Sequence, residues 1–170
     1  MRFRNRALPI ITDEDAWELI EEAAPSLEPM PPSIEGAATL WGLFNCERYS
    51  EANPFPRFEP AYAPGGYFYE HSPDVQARWA EYDRASACSY SNWQILFNTA
   101  CELGYTGDPY ALDDDKTALP FVVAYIKRRA IGAGATMPEQ VARAYNSGSI
   151  NGHAVPGYVD KFMASYNELA

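Results

Sequence analysis

Leu40-Trp41-Gly42-Leu43-Phe44-Asn45-Cys46-Glu47 is the stretch whose reading sets the fold. Leu40, Leu43 and Glu47 stand at i, i+3 and i+7, so on a helix the carboxylate extends an apolar stripe instead of facing water. Upstream, Ile34 and Ala37 keep the same spacing, with Ser33 expected as the cap and Glu35 in the first turn. The helix is expected to run out around Tyr49. A carboxylate in its last turn meets the negative end of the helix dipole and is partly desolvated. Both effects raise its pKa, as a general acid working near neutral pH requires. The plainer alternative is a surface glutamate in a fraying turn, paired with Arg48.

The spacing on either side predicts more helices. Thr12, followed by acidic residues, caps a first helix carrying Trp17, Leu19, Ile20 and Ala23, and Pro25 ends it. Four prolines between Pro25 and Pro32 mark a linker, so residues 1–31 are expected to form a short helical appendage and residues 32–170 the main domain. A proline- and aromatic-rich loop from Ala52 to Gly66 is expected to hold a short hairpin near Arg57 to Tyr62. Ser72-Pro73-Asp74 starts a helix to Asp83, and another is expected from about Asn92 to Leu103, stopped by Gly104. Asp113 to Thr117 leads into a helix with Leu119, Val122, Tyr125 and Ile126 on one stripe. Thr136 to Glu139 reads as a capping box for a helix ending at Tyr145-Asn146-Ser147-Gly148. A last helix from about Gly157 presents Val159, Phe162, Met163 and Tyr166. With about seven helices and little strand, the class is mainly α.

The 170 residues suit one sizeable core, and 47% hydrophobic with 14% aromatic content reads as globular. Thirteen basic against twenty-three acidic side chains leave a net charge of −10, which argues against nucleic acid or anionic lipid as partner. No apolar run is long enough for a membrane span. Arg2, Arg4 and Arg6 resemble a signal-peptide start, but Ala7 to Ile11 is too short for its apolar core, so no export signal is expected. Cys46, Cys88 and Cys101 lack metal-ligand spacing and, with only His71 and His153, predict free thiols and no metal. Phosphate loops, dinucleotide fingerprints, HExxH and GxSxG motifs are missing, and no cofactor is expected.

Four segments between Ser33 and Tyr166 together resemble the soluble lytic transglycosylases and related phage endolysins of the lysozyme-like superfamily. Leu40 to Glu47 looks like the helix that carries their catalytic glutamate. Asn53-Pro54 with Arg57-Phe58-Glu59-Pro60 resembles the stretch that follows it. Ser89-Tyr90-Ser91-Asn92-Trp93-Gln94-Ile95 is similar to their SxGxxQI segment, which lines the glycan cleft, and Thr99-Ala100 and Leu103-Gly104-Tyr105 continue the match. Ala144-Tyr145-Asn146-Ser147-Gly148 resembles AYNxG, and a Pro-Gly-Tyr-Val helix start follows as in the family. Arg48 stands where the family usually has serine. Asn53 arrives about two residues late by that spacing, which makes Glu51 a rival to Glu47. Glu47 keeps the helical spacing, whereas Glu51 falls among Ser, Ala and Asn. Ser91 replaces the family's glycine.

The resemblance implies a lysozyme-like helical domain, acting as a monomer on peptidoglycan glycan strands with Glu47 as acid/base. Made in the cytoplasm, the protein would reach the wall after release or delivery. Gln94, Tyr145, Asn146, Glu59 and Ser91 are the implied substrate-binding residues. Each has an ordinary alternative: Gln94 as a solvent-facing residue in a first helical turn, Tyr145 as a core side chain, Asn146 as a helix terminator, Glu59 as a partner for Arg57. Tyr62, Tyr67, Phe68 and Tyr69 offer rings for sugar stacking or for pinning the loop. Hydrolytic glycosidases normally use two carboxylates; one well-placed glutamate favours transglycosylation. A hydrolytic muramidase, a non-catalytic glycan-binding module and a helical interaction protein are the competing expectations.

Overall fold

The computed structural model describes residues 11–50 and 56–170, so Glu51, the Asn53-Pro54 pair and the basic N-terminal segment lie outside the described residues. Eight α-helices and one small sheet make up the described residues: α1 (Asp13–Ala23), α2 (Gly36–Glu47), β1 (Arg57–Phe58), α3 (Tyr67–His71), α4 (Pro73–Tyr82), β2 (Cys88–Tyr90), β3 (Ile95–Leu96), α5 (Phe97–Glu102), α6 (Asp115–Arg129), α7 (Pro138–Ser147) and α8 (Tyr158–Tyr166). The class is mainly α, and none of these helices is long and apolar enough to cross a membrane.

Helix α2 is the central rod. Ala38, Leu40, Leu43 and Phe44 are buried around its circumference, as a helix enclosed by others requires. Against it lies α8. Gly42 makes that approach possible: a Cβ there would stand 2.8 Å from the Phe162 ring, closer than carbon atoms tolerate. Ser33 does not cap α2; its hydroxyl donates to the Thr136 carbonyl, and the helix starts three residues later.

A ladder of aromatic rings joins α1 to the middle of the chain. Trp17 meets Trp41 edge-on at 6.1 Å, Trp41 stacks on Phe44 at 5.7 Å, and Phe44 meets Trp93 at 5.2 Å. Thr12 caps α1 as expected, accepting from Asp15 N at 3.0 Å. The prolines after α1 do not set it apart. Ala16, Ile20 and Leu27 are fully buried in the same hydrophobic cluster as Leu40, Val122 and Phe162.

The strands pair in the order β1-β2-β3, all antiparallel, with Arg57 opposite Ser89 and Tyr90 opposite Ile95. The expected hairpin at Arg57 to Tyr62 is instead half of a long-range pair with β2, followed by a 3₁₀ turn at Pro60–Tyr62. The helix expected from Asn92 starts five residues late. A turn and β3 come first, because Ser91 and Gln94 adopt left-handed backbone, with φ of +66° and +51°. At α7 the side chain returning to the helix start is Gln140, not Glu139. Its Oε1 accepts from Thr136 N at 2.7 Å and Met137 N at 3.1 Å. Gly148, left-handed at φ +80°, ends that helix as its sequence predicts.

Ile20→Ala is expected to cost about 2–5 kcal/mol, the usual price of a cavity in a packed core. Deleting residues 1–31 is expected to cost more, since Ala16 and Leu27 go with it. Urea unfolding measures both, and an unchanged midpoint in the truncated protein would mean that α1 is no part of the stable core.

Candidate active site

Glu47 is the last residue of α2, and the chain turns away from the helix at Arg48. Although ionisable, Glu47 is 5% exposed. Arg48 pairs with Asp13 instead, so the surface pairing with Arg48 is not what the structure holds. The Tyr158 hydroxyl, from the first turn of α8, donates to Glu47 Oε1 at 2.6 Å. Arg57 Nη1 stands 3.9 Å from Oε2. Burial pushes the Glu47 carboxyl above the ordinary glutamate range, against the opposing effects of Tyr158, Arg57 and Lys161, and nearby Glu59 adds to the rise. The α2 dipole acts in the same direction. Burial also holds the Tyr158 phenol well above its ordinary value, so it remains a donor.

Glu59 is tied down. Its Oε1 accepts from Arg57 Nε at 2.7 Å and from Ser89 Oγ at 3.2 Å. The sheet register explains this grouping, because it sets Arg57 directly across from Ser89.

The turn from Ser91 to Gln94 forms the next part. Ser91 takes the left-handed conformation that suits glycine, at a cost of about 1–2 kcal/mol. Side chains from distant elements hold it there. Asp115, at the start of α6, accepts from Asn92 N at 2.8 Å and from Asn92 Nδ2 at 2.7 Å. Asn92 Oδ1 in turn accepts from Tyr49 N at 3.1 Å. Asp114, not Asp115, caps α6. The Trp93 indole donates to the Leu40 carbonyl at 3.2 Å, and the Tyr145 hydroxyl donates to the Trp93 carbonyl at 2.6 Å.

These elements enclose a cleft of about 680 Å³, lined in part by Arg57, Glu59, Gln94, Tyr145 and Asn146. Glu47 adjoins it through Arg57. Gln94 sits in the left-handed turn, not in a helix's first turn, and is 6% exposed. Both polar atoms of its amide are buried without a hydrogen-bond partner among the described residues. Such an amide costs about 1–3 kcal/mol until something pairs with it. Tyr145 lines the cleft with its ring, while its hydroxyl proton is committed to Trp93. Asn146 Oδ1 accepts from Val155 N at 2.9 Å, fastening the loop between α7 and α8.

No family model, curated protein or solved structure matches this chain. The chemistry of the cleft is therefore read from its own atoms. Among the described residues, no group of three or more His, Cys, Asp or Glu side chains is placed to hold a metal ion. The three cysteines are free, and burial pushes the Cys46 thiol up to about 12, leaving it a poor nucleophile. What the arrangement can do is hold a proton on Glu47, beside a donor and a cation that steady the carboxylate once the proton has left.

Spacing along the chain brought out Glu47, and the family resemblance implied Gln94, Tyr145, Asn146, Glu59 and Ser91. Gln94, Tyr145, Asn146 and Glu59 line the cleft, Glu47 adjoins it through Arg57, and Ser91 is fully buried in the turn. Neither brought out Tyr158, Asp115 or the role of Arg57 as a neighbour of Glu47. The Pro-Gly-Tyr-Val helix start was the available signal for Tyr158.

Tyr158→Phe removes a hydrogen bond that favours the ionised form, so the Glu47 titration, followed by carboxyl carbon NMR, is expected to move upward. Arg57→Ala is expected to move it the same way; a downward move in either would refute this account of the site. Since the folded-state pKa of Glu47 exceeds its unfolded value of about 4.3, its contribution to stability is complete below that value and is lost as pH rises through the folded one. Glu47→Gln should therefore gain stability over the parent between about pH 4 and pH 7. Urea midpoints at both values check this, and a constant difference would contradict it.

Proposed function

We propose that the protein is a lysozyme-like enzyme that cleaves peptidoglycan glycan strands at the β-1,4 bond between N-acetylmuramic acid and N-acetylglucosamine, as a lytic transglycosylase. The observation that carries this reading is the buried Glu47, its pKa raised by burial, beside a cleft whose buried Gln94 amide is unpaired. Such an amide offers a donor and an acceptor together, which is what the N-acetyl group of either sugar presents in return. Resemblance across the four motifs supports the same assignment.

In this reading Glu47 gives its proton to the glycosidic oxygen, and the bond to the muramyl C1 breaks. The carboxylate left behind is steadied by the Tyr158 hydroxyl and the Arg57 guanidinium. It then takes the proton of the muramyl C6 hydroxyl as that oxygen attacks C1. The products are a 1,6-anhydromuramyl end and a free 4-hydroxyl on N-acetylglucosamine, with no water consumed. An internal hydroxyl competes well because it is already tethered to the reacting sugar.

A hydrolytic muramidase is the second reading, favoured by the nearness of Glu59, whose charge helps raise the Glu47 pKa. In that reading Glu59 would activate a water. Its Oε1 is already occupied by Arg57 and Ser89, which supports transglycosylation.

Purified peptidoglycan digested with the protein is expected to release fragments one water lighter than hydrolysis products and resistant to borohydride. Glu47→Gln, with unchanged circular dichroism, should lower the rate by about 10²–10⁴-fold. Reducing ends carrying oxygen from labelled water as the main product would establish the muramidase instead. Full activity in Glu47→Gln would remove Glu47 from the mechanism.

A further inference from the structure

The polar groups of the cleft divide sharply by whether they are already used. Close to Glu47, the hydrogen bonds of Arg57, Glu59, Ser89 and Tyr145 are made within the protein. Farther along, at the end where α5 and α6 finish, Tyr62, Glu102, Tyr125 and Arg129 line the same cavity. Among the described residues, none of these four side chains forms a hydrogen bond or an ion pair. They nonetheless lie within electrostatic reach of one another: Glu102, Tyr125 and Arg129 all act on the Tyr62 hydroxyl. Burial raises both phenols, Tyr62 to about 12, so each stays a proton donor at neutral pH.

Two unspent donors, one carboxylate and one guanidinium at the end of a cleft define a zwitterionic site. A glycan backbone of N-acetylated sugars matches the neutral amide of Gln94 but not a pair of opposite charges. The lining runs from Gln94 through Leu96 and Thr99 to Glu102. The cavity volume falls in the range of ordinary ligand sites, about 300–1,000 Å³.

Resting on the glycan-cleaving reading above, we infer that the Tyr62–Glu102–Tyr125–Arg129 end of the cleft binds the short peptide attached to the muramyl residue. Arg129 takes a peptide carboxylate, Glu102 takes a peptide ammonium group, and the two phenols hydrogen-bond peptide carbonyls. The chain is then selective for peptide-bearing strands over strands stripped of their peptides.

The test compares peptidoglycan before and after amidase removal of its peptides, using the full chain and its Arg129→Ala and Glu102→Gln variants. Both residues are exposed, and circular dichroism verifies folding. The parent is expected to show the lower KM on peptide-bearing strands. Each variant is expected to raise that KM by about threefold to tenfold, the usual net worth of one hydrogen bond. Its kcat and its KM on stripped strands should not change. The double variant Glu102→Arg with Arg129→Glu should recover part of the loss.

Equal KM for the two substrates in the parent overturns the inference, as do variants that weaken both substrates alike. Dependence on Arg129 with stripped strands alone overturns it too, and assigns that guanidinium to the muramyl lactyl carboxylate. Cleavage of neither substrate by the parent is a separate result, which defeats the glycan-cleaving reading itself and this inference with it.

Discussion

The hydrogen bond from the Trp93 indole to the Leu40 carbonyl ties a strained turn to the central helix. Around it the remaining parts of the site fall into place. Trp93 is wholly buried and packs against Phe44 with its ring tilted, so the turn cannot slide along α2 without opening the core. Its carbonyl receives Tyr145 from α7, its neighbour Asn92 is gripped by Asp115 from α6, and Gln94 is left aimed at the cleft. Four residues thus fasten three helices. Left-handed backbone at Ser91 and Gln94 persists because each of these fastenings fails if the turn relaxes.

The electrostatic pattern follows from that rigid frame. A carboxylate at the end of α2, shut away from water, is costly when ionised. The protein offsets part of the cost with the Tyr158 phenol, the Arg57 guanidinium and the nearby Lys161 ammonium. A closer ion pair would have lowered the Glu47 pKa further, against the rise that burial gives it. The 3.9 Å spacing to Arg57, which is itself drawn towards Glu59, keeps attraction present but weak. The overall charge of −10 does not enter at this range, since local groups decide the state of a buried acid.

Local spacing exposed what local forces decide. The stripe of Leu40, Leu43 and Glu47 announced a buried acid, and Thr12 and Gly148 marked helix ends, because caps and stripes are written within a few residues. The position of Gln94 was not legible: Ser91 and Asn92 have no glycine signature, and the tertiary grip of Asp115 overrides their preference for a helix start. Likewise Tyr158 meets Glu47 across 111 positions of chain, and β1 finds β2 across thirty, from Phe58 to Cys88. Such partners are chosen by packing, which a one-dimensional pattern does not encode. The Pro25 to Pro32 stretch misled for a related reason: prolines break a helix without separating what lies on either side of it.

Tyr158 and Phe162 lie one helical turn apart on α8, so they face α2 together. Where Phe162 meets Gly42, the two backbones come close only because position 42 carries a hydrogen and no carbon. The vacant space there sets how near α8 can lie, and with it the length of the bond from Tyr158 to Glu47. The acidity of the site is thus governed partly at a residue with no side chain and no charge. A single methyl group at position 42 would act as a spacer, easing the phenol away from the carboxylate and leaving the acid weaker, with every polar residue of the cleft still in its place.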